Sequence, residues 1–294
     1  MDGVINALKP SGMTSHDVVY YIRKITNVKK VGHAGTLDPL AVGVLPILVG
    51  KATKLSDYLM EHTKTYRVHI YFGIQTTTYD CDGEIIGKNE NLTLNYDSVN
   101  EAILSFVGEI FQTPPMYSAI KINGEKLYNA ARKGKEIEIP MRKVTIYSID
   151  NINQISSCEY SFDVKCSKGT YVRSLCVDIG NKLGVFAYMN MLIRLQTGSF
   201  KISDALTLEE IDENIQEALI SPEMVLNFPK AFVKPEAYKH VINGLKQPIA
   251  FLEGFNYTKD DLVKLYDIDN KFIGVANIFT EENKKYFKVS TFLS

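Results

Sequence analysis

At 294 residues, 45% hydrophobic and 23% charged, the chain has the size of one large domain plus a small one and the balance of a soluble globular protein. Its longest apolar run, Val42 to Val49, is too short and too broken by Pro46 to cross a membrane, and the opening MDGVINALKPSG shows no signal peptide, so a cytoplasmic location is expected. Net charge is −1, and Cys81, Cys158, Cys166 and Cys176 form neither a CxxC pair nor a zinc-ligand spacing with histidine, so reduced thiols and no metal are expected.

Lys9-Pro10-Ser11-Gly12-Met13-Thr14-Ser15 reads as a loop, with Thr14 and Asp17 set to cap a helix bearing Val18, Val19, Ile22 and Ile25 on one face. A loop around Asp38 comes next, then a short helix through Leu55 and Leu59. Tyr66 to Gly73 alternates apolar and polar residues, which predicts a strand. Residues 74–95 are polar and acidic and read as loop and edge structure. The spacing of Val99, Ile103 and Val107 predicts a helix over Asp97 to Val107. Residues 112–135 read as a proline turn, a short strand and a helix ending near Gly134. Strands are expected at Val144–Ile149, Tyr160–Cys166 and Arg194–Lys201, with a helix from Thr170 to about Leu183 between the last two. Thr207 and Glu210 open an acidic helix. A boundary falls at Pro229–Pro235. Beyond it a helix ends at Asn243-Gly244, and strands follow at about 262–267, 271–279 and 284–292. The pattern is α+β, with a mixed catalytic domain over 1–229 and a small, mostly β domain over 230–294.

Chemistry concentrates in Gly35-Thr36-Leu37-Asp38-Pro39-Leu40-Ala41-Val42-Gly43-Val44-Leu45-Pro46, where Asp38 is the single charge. Pro39 keeps Asp38 out of helical space, and Gly35 and Gly43 permit turns or the close approach of another backbone. An acid on a rigid loop between apolar walls is how a catalytic carboxylate is presented. Read alone, an Asp-Pro is more often a capping turn. Charge is unevenly spread: residues 1–70, 115–145 and 165–201 carry net +4, +4 and +5, whereas 79–113 and 202–226 carry −6 and −7. Basic blocks sharing one face would make a footprint for phosphates.

GTLDPLAVGVLP resembles the catalytic motif of TruB-family pseudouridine synthases, which isomerise uridine 55 in the T loop of tRNA. The segments Lys9–Ser15, Lys64-Thr65-Tyr66, Pro114–Lys121 and Gly169–Leu175 resemble further motifs of that family, so the resemblance spans about residues 3–290. It implies that Asp38 is catalytic, that Arg173 pairs with it, and that Tyr66 stacks on the target base and acts as general base. It also implies that His33 enters the RNA, that Tyr171 and Leu195 shape the uracil pocket, and that Lys9 and Lys64 belong to the substrate-binding set, Lys9 as a phosphate contact. The C-terminal strands resemble a PUA domain, an RNA-binding fold. The implied partner is tRNA, through its T loop and acceptor arm, with no membrane and no protein partner, the chain acting as a monomer. The isomerisation has no redox change and transfers no external group, so no cofactor is implied. Attack at C6 or C1′ and a glycal route both remain open. Other readings are a non-catalytic RNA-binding or folding module, a guide-RNA-dependent synthase and, more distantly, a glycoside hydrolase, which needs a second acid that no motif supplies. The acidic stretch 79–97 carries no assigned role.

Overall fold

The structure, a computed structural model, describes residues 1–118, 121–122, 125–126, 138–254 and 262–293. Its elements begin β1 (Gly3–Lys9), α1 (Ser15–Thr26), β2 (Val31–His33), β3 (Val42–Val49), α2 (Ser56–Met60) and β4 (Lys64–Phe72). They continue β5 (Ile74–Thr76), β6 (Ile85–Lys88), α3 (Tyr96–Leu104), β7 (Gly108–Gln112), β8 (Lys121–Ile122), β9 (Glu125–Lys126), β10 (Arg142–Gln154) and β11 (Glu159–Cys166). Next come α4 (Val172–Lys182), β12 (Ala187–Thr197), β13 (Phe200–Lys201), α5 (Leu208–Glu213) and α6 (Ile215–Ala218). The last part holds β14 (Lys230–Val233), α7 (Pro235–Ile242), β15 (Gln247–Pro248), β16 (Leu252–Glu253), β17 (Leu262–Tyr266), β18 (Phe272–Glu281) and β19 (Lys284–Phe292).

Nine of the strands up to β13 form a mixed sheet in the order β1-β3-β12-β4-β11-β10-β7, with β2 beside β3 and β13 beside β12, while β5–β6 and β8–β9 are separate two-stranded pairs. Every pairing in it is antiparallel except β12 with β3. β4 alternates as expected. Tyr66, Val68, Ile70 and Phe72 face a core that includes Leu175, Cys176 and Ile179 of α4, while Arg67, His69 and Tyr71 face the other way. β3 is covered on both sides. Leu45, Ile47 and Val49 pack with Val18, Val19 and Ile22 of α1; Val44 and Leu48 pack with Ala52, Leu55 and Leu59.

Both capping boxes form, Thr14 with Asp17 and Thr207 with Glu210. The helix expected from Thr170 is α4, with Tyr171 at its N-cap. The strand expected at Arg194 starts seven residues earlier, at Ala187. The helix expected to end near Gly134 lies outside the described residues.

Strands β14 to β19 form a separate six-stranded sheet in the order β15-β19-β18-β17-β14-β16, with α7 and a core that includes Val233, Val241, Leu265 and Phe287. This part is not free of the rest. Val275 and Leu293 are buried with Ala52, Leu55, Leu59, Val225 and Leu226. The Tyr58 hydroxyl lies 3.0 Å from Ser290 Oγ, and Tyr266 donates to Glu223 at 2.8 Å. Exposing two such aliphatic side chains costs roughly 3–6 kcal/mol. Deleting Ala231 onward is therefore expected to lower the melting temperature by at least about 5 °C. Calorimetry on the truncated chain checks this, and an unchanged midpoint would show that the contact contributes nothing.

Candidate active site

The loop carrying Asp38 is fixed through its carbonyls. Arg194, 1% exposed, reaches from β12 and donates Nη2 to Gly35 O (3.1 Å), Nη1 to Thr36 O (3.2 Å) and Nε to Val44 O (2.6 Å). Ser15 Oγ donates to Leu37 O and accepts from Leu37 N; Ser11 Oγ donates to Leu40 O. Pro39 O takes both Gly12 N and Lys9 Nζ at 2.9 Å, and Asp38 O takes Ala41 N at 3.1 Å. Each carbonyl from Gly35 to Leu40 thus has a donor, so the loop has no polar reason to rearrange. Gly43 (φ +118°) is required on steric grounds, because a Cβ there would lie 2.3 Å from Arg194 O. Leu37 and Ala41 are buried on either side of Asp38 in the core that holds Tyr66 and Leu192.

Asp38 pairs with Arg173 as expected. Arg173 sits in the first turn of α4, its side chain 7% exposed, and grips the carboxylate at two points, Nε–Oδ2 3.0 Å and Nη2–Oδ1 3.3 Å. The guanidinium is itself held by Thr78 O (3.2 Å) and Tyr117 O (3.0 Å). A second carboxylate, Asp80, stands 3.6 Å from Arg173 Nη1. No sequence motif points to Asp80. The polar segment 74–95 does form an edge hairpin, β5–β6, but its tip reaches back to the site; Asp80 bridges Met189 of β12 and accepts from the Thr78 hydroxyl. Burial raises the Asp38 carboxyl above its usual range, and neighbouring Asp80 adds to the shift; Arg173 and, more weakly, Lys9 oppose it. A carboxylate held this way is more basic than a free one and still oriented by its guanidinium.

A cleft of about 190 Å³ opens beside Asp38, walled by Leu40, Asp80, Asp82, Met189, Met191 and Leu192. Leu195 is not part of this wall. It is half-buried at a bulge where β12 slips relative to β4 between Arg194 and Gln196, and Leu192 of the same strand supplies the apolar surface instead. Tyr66 is 9% exposed, and burial pushes its phenol up, with Arg194 pulling the other way. The hydroxyl therefore stays protonated at neutral pH, which favours stacking over base catalysis before substrate binds. Tyr171 donates its backbone N–H to Gln112 Oε1 at 2.7 Å, and burial raises its phenol while the Ser118 hydroxyl opposes. His33 ends β2, half-buried and not freely projecting; burial lowers its pKa, leaving a neutral ring suited to stacking.

Two residues expected to contact RNA are buried. Lys9 is fully buried, and its three ammonium hydrogens go to Pro10 O (2.7 Å), Met13 O (2.6 Å) and Pro39 O (2.9 Å). Lys64 is also buried and donates to Met60 O (2.7 Å) and His62 O (2.6 Å). Burial lowers both to about 8. Lys9 has all three hydrogens engaged and binds the first motif to the Asp38 loop; Lys64, with two of its three engaged, closes the end of α2. With Arg173 and Arg194, they are four cations of the basic blocks that lie buried in the protein and not on its surface. Among the described residues no group of three or more His, Cys, Asp or Glu is arranged to hold a metal ion, and no helix is long and apolar enough to cross a membrane.

Asp80 has a direct test. Asp80→Asn removes one of the charges holding Arg173 and leaves Asp38 in place. It is expected to lower kcat about tenfold with little change in KM. Steady-state kinetics decide, and a wild-type kcat would show that Arg173 needs only Asp38.

Comparison with solved structures places the fold. A chain from the "Structure of H/ACA RNP bound to a substrate RNA containing 2'-deoxyuridine" superposes with a TM-score of 0.76 at 25% identity, covering 99% of this chain and 85% of that one. A chain from the "archaeal box H/ACA sRNP Nop10-Cbf5 complex" gives 0.73 at 26% identity, with coverage of 99% and 85%. The fold is that of the pseudouridine synthases. The family model described as "TruB family pseudouridylate synthase (N terminal domain)" matches residues 23–172, and "tRNA pseudouridylate synthase B C-terminal domain" matches 173–227. The division between these two falls inside the nine-stranded sheet, since β12 lies between β3 and β4. Proteins named tRNA pseudouridine synthase B are 47% identical in Caldanaerobacter subterraneus subsp. tengcongensis (94% of this chain, 95% of that protein) and 46% identical in Clostridium acetobutylicum (99% and 100%). The chain belongs to the TruB family of pseudouridylate synthases.

Proposed function

We propose that the chain isomerises uridine to pseudouridine in tRNA, at position 55 of the T loop. The carrying observation is Asp38, gripped at two points by buried Arg173 on a loop whose carbonyls are all tied, beside a cleft walled by Leu40, Met189, Met191 and Leu192 with Asp80 and Asp82. Family membership supplies the reaction class.

The N1–C1′ bond breaks, the freed uracil turns, and C5 joins C1′; C5 gives up a proton and N1 gains one. Atoms balance with no oxidant, reductant or transferred group. Asp38 serves this as nucleophile at C1′ or C6, or as the base that opens a glycal route. Arg173 orients it. Tyr66 stacks on the flipped base, Leu192 and the two methionines of β12 wall the pocket, and Tyr171 and His33 shape its edge. The cost of unstacking the uridine, on the order of a few kcal/mol, is offset by contacts along the RNA. The six-stranded C-terminal sheet acts as a PUA-like RNA-binding module, 230–294, beside a catalytic domain of 1–229. The protein works as a cytoplasmic monomer on tRNA alone.

A guide-dependent reading is favoured by the structural neighbours, which are chains of H/ACA RNP and sRNP complexes. It requires inactivity without a guide RNA and partner proteins. Tritium release from tRNA labelled at uridine C5 separates the two, because forming the C5–C1′ bond expels that hydrogen. One equivalent released per tRNA by the purified chain alone is expected; no release would refute the proposal. The rate is expected to survive dialysis against EDTA once Mg²⁺ is restored for RNA folding. A loss reversed only by a transition metal would contradict the one-carboxylate chemistry.

A further inference from the structure

Arg194 carries a charge that no acid in its surroundings offsets. It is 1% exposed and gives Nε, Nη1 and Nη2 to the carbonyls of Val44, Thr36 and Gly35. Among the described residues no carboxylate pairs with it, whereas Arg173 has both Asp38 and Asp80. The other basic groups that feel it, Lys9 of β1, His33 of β2 and Lys64 of β4, only add to the imbalance. A buried cation with carbonyls and no anion is destabilising by itself, and a guanidinium cannot escape by losing its proton. Such a charge has a use where a neighbouring group turns negative during a reaction.

That neighbour is Tyr66. Arg194 and Tyr66 are direct partners across β12 and β4, which sets their Cβ atoms about 4.5–5.5 Å apart on the same buried face. The Tyr66 ring shares its core with Leu37 and Ala41, which flank Asp38, and with Leu192 of the cleft wall. Three titratable groups act on the phenol: Arg194 from β12, Cys166 from β11 and Asp38 from its loop. Burial raises the phenol most, Cys166 and Asp38 add to the rise, and Arg194 alone opposes it.

We propose that Arg194 is the positioning residue of Tyr66: it ties the tyrosine's strand to the Asp38 loop and offsets the negative charge that the Tyr66 oxygen carries while it passes a proton through the isomerisation. The proposal rests on the reading of the chain as a uridine isomerase. The phenol gives its proton to N1 of the detached uracil. The phenolate then takes the proton that C5 releases once the C5–C1′ bond has formed. One proton leaves the tyrosine and one returns, so Tyr66 ends as it began and no outside acid or base is consumed.

The test is Arg194→Gln, which removes the charge and keeps an amide for a loop carbonyl, in chains with tyrosine, phenylalanine or 3-fluorotyrosine at position 66. Single-turnover rates on unmodified tRNA are read by tritium release, with KM alongside. Arg194→Gln is expected to lower the rate at least about thirtyfold with KM within about threefold. The more acidic fluorinated phenol should recover at least about fivefold of that loss, and gain less than about twofold beside Arg194. In the Tyr66→Phe chain the same substitution should cost less than about threefold. Arg194→Lys keeps the charge without the fork and should lose about tenfold at most, again recovered by fluorination; it decides the question if the glutamine protein does not fold. A loss that fluorination leaves unchanged, or that is equally large in Tyr66→Phe, would show that Arg194 only holds the loop and would overturn the proposal. Wild-type protein that releases no tritium would refute the isomerase reading and the proposal with it. Wild-type release without rescue would refute the proposal alone.

Discussion

Replacing Asp38 with alanine is expected to reduce pseudouridine formation below about one thousandth of wild type while tRNA affinity stays within about tenfold. Three decades correspond to about 4 kcal/mol of transition-state stabilisation. An effect of that size from one side chain is reasonable because the others are already in place. The loop's carbonyls are held by Arg194, Ser15, Ser11 and Lys9 and do not depend on the Asp38 carboxylate. The fold should therefore survive, and RNA contacts away from the cleft should persist. Single-turnover rates at saturating enzyme, with filter-binding affinities alongside, separate chemistry from binding. The carboxyl itself is raised by burial, so the acid limb of the rate profile should lie above the ordinary carboxylate value of about 4. The sign follows because activity needs the ionised form and is lost as pH falls through the raised value. Residual turnover near a tenth of wild type would remove Asp38 from the chemistry.

Arg173→Lys is expected to lower kcat at least tenfold with the fold intact and the melting temperature down by roughly 2–4 °C for each kcal/mol lost, and Arg173→Met to lower kcat at least a hundredfold. The guanidinium meets two oxygens of Asp38, approaches Asp80, and donates to Thr78 O and Tyr117 O. An ammonium has three hydrogens and no planar fork. It keeps the charge that attracts Asp38 but cannot hold both carboxylate oxygens and both carbonyls. Each carbonyl left buried without a donor costs about 1–3 kcal/mol, and the carboxylate gains freedom to rotate. The loss should appear in kcat and not in KM, because the pair orients the reacting acid. A lysine variant as fast as wild type would show that position of charge alone suffices.

What the sequence made legible was chemistry with local signals. The Asp38 loop, its flanking glycines and both capping boxes sit in short patterns whose physics is confined to a few residues, whereas Arg173, 135 residues from Asp38, is legible as its partner only through the family resemblance of Gly169–Leu175. Less legible was whatever depends on packing from afar. β3 has a continuous apolar run with a proline inside it and no alternation, because α1 covers one face while Ala52, Leu55 and Leu59, with Val225 and Leu226, cover the other. Asp80 lay hidden in an acidic stretch, and only the folding back of the β5–β6 hairpin brings it to Arg173. Lys9 and Lys64 read as basic residues in RNA-binding motifs, yet burial directs both ammoniums to the chain's own carbonyls. A lysine's partners are not written in its neighbours. Leu195 and Leu192 are three residues apart on one strand, and the alternation of the strand puts them on opposite faces, so only Leu192 meets the cleft.

The central claim is that Asp38, held by Arg173, isomerises one uridine in tRNA without help. It is tested most directly by incubating the purified chain with an unmodified tRNA transcript and mapping pseudouridine at single-nucleotide resolution, with the Asp38→Ala protein in parallel. The expected result is near-complete conversion at uridine 55 by the wild type and none by the variant. Conversion elsewhere with uridine 55 untouched, or equal conversion by both proteins, would contradict it.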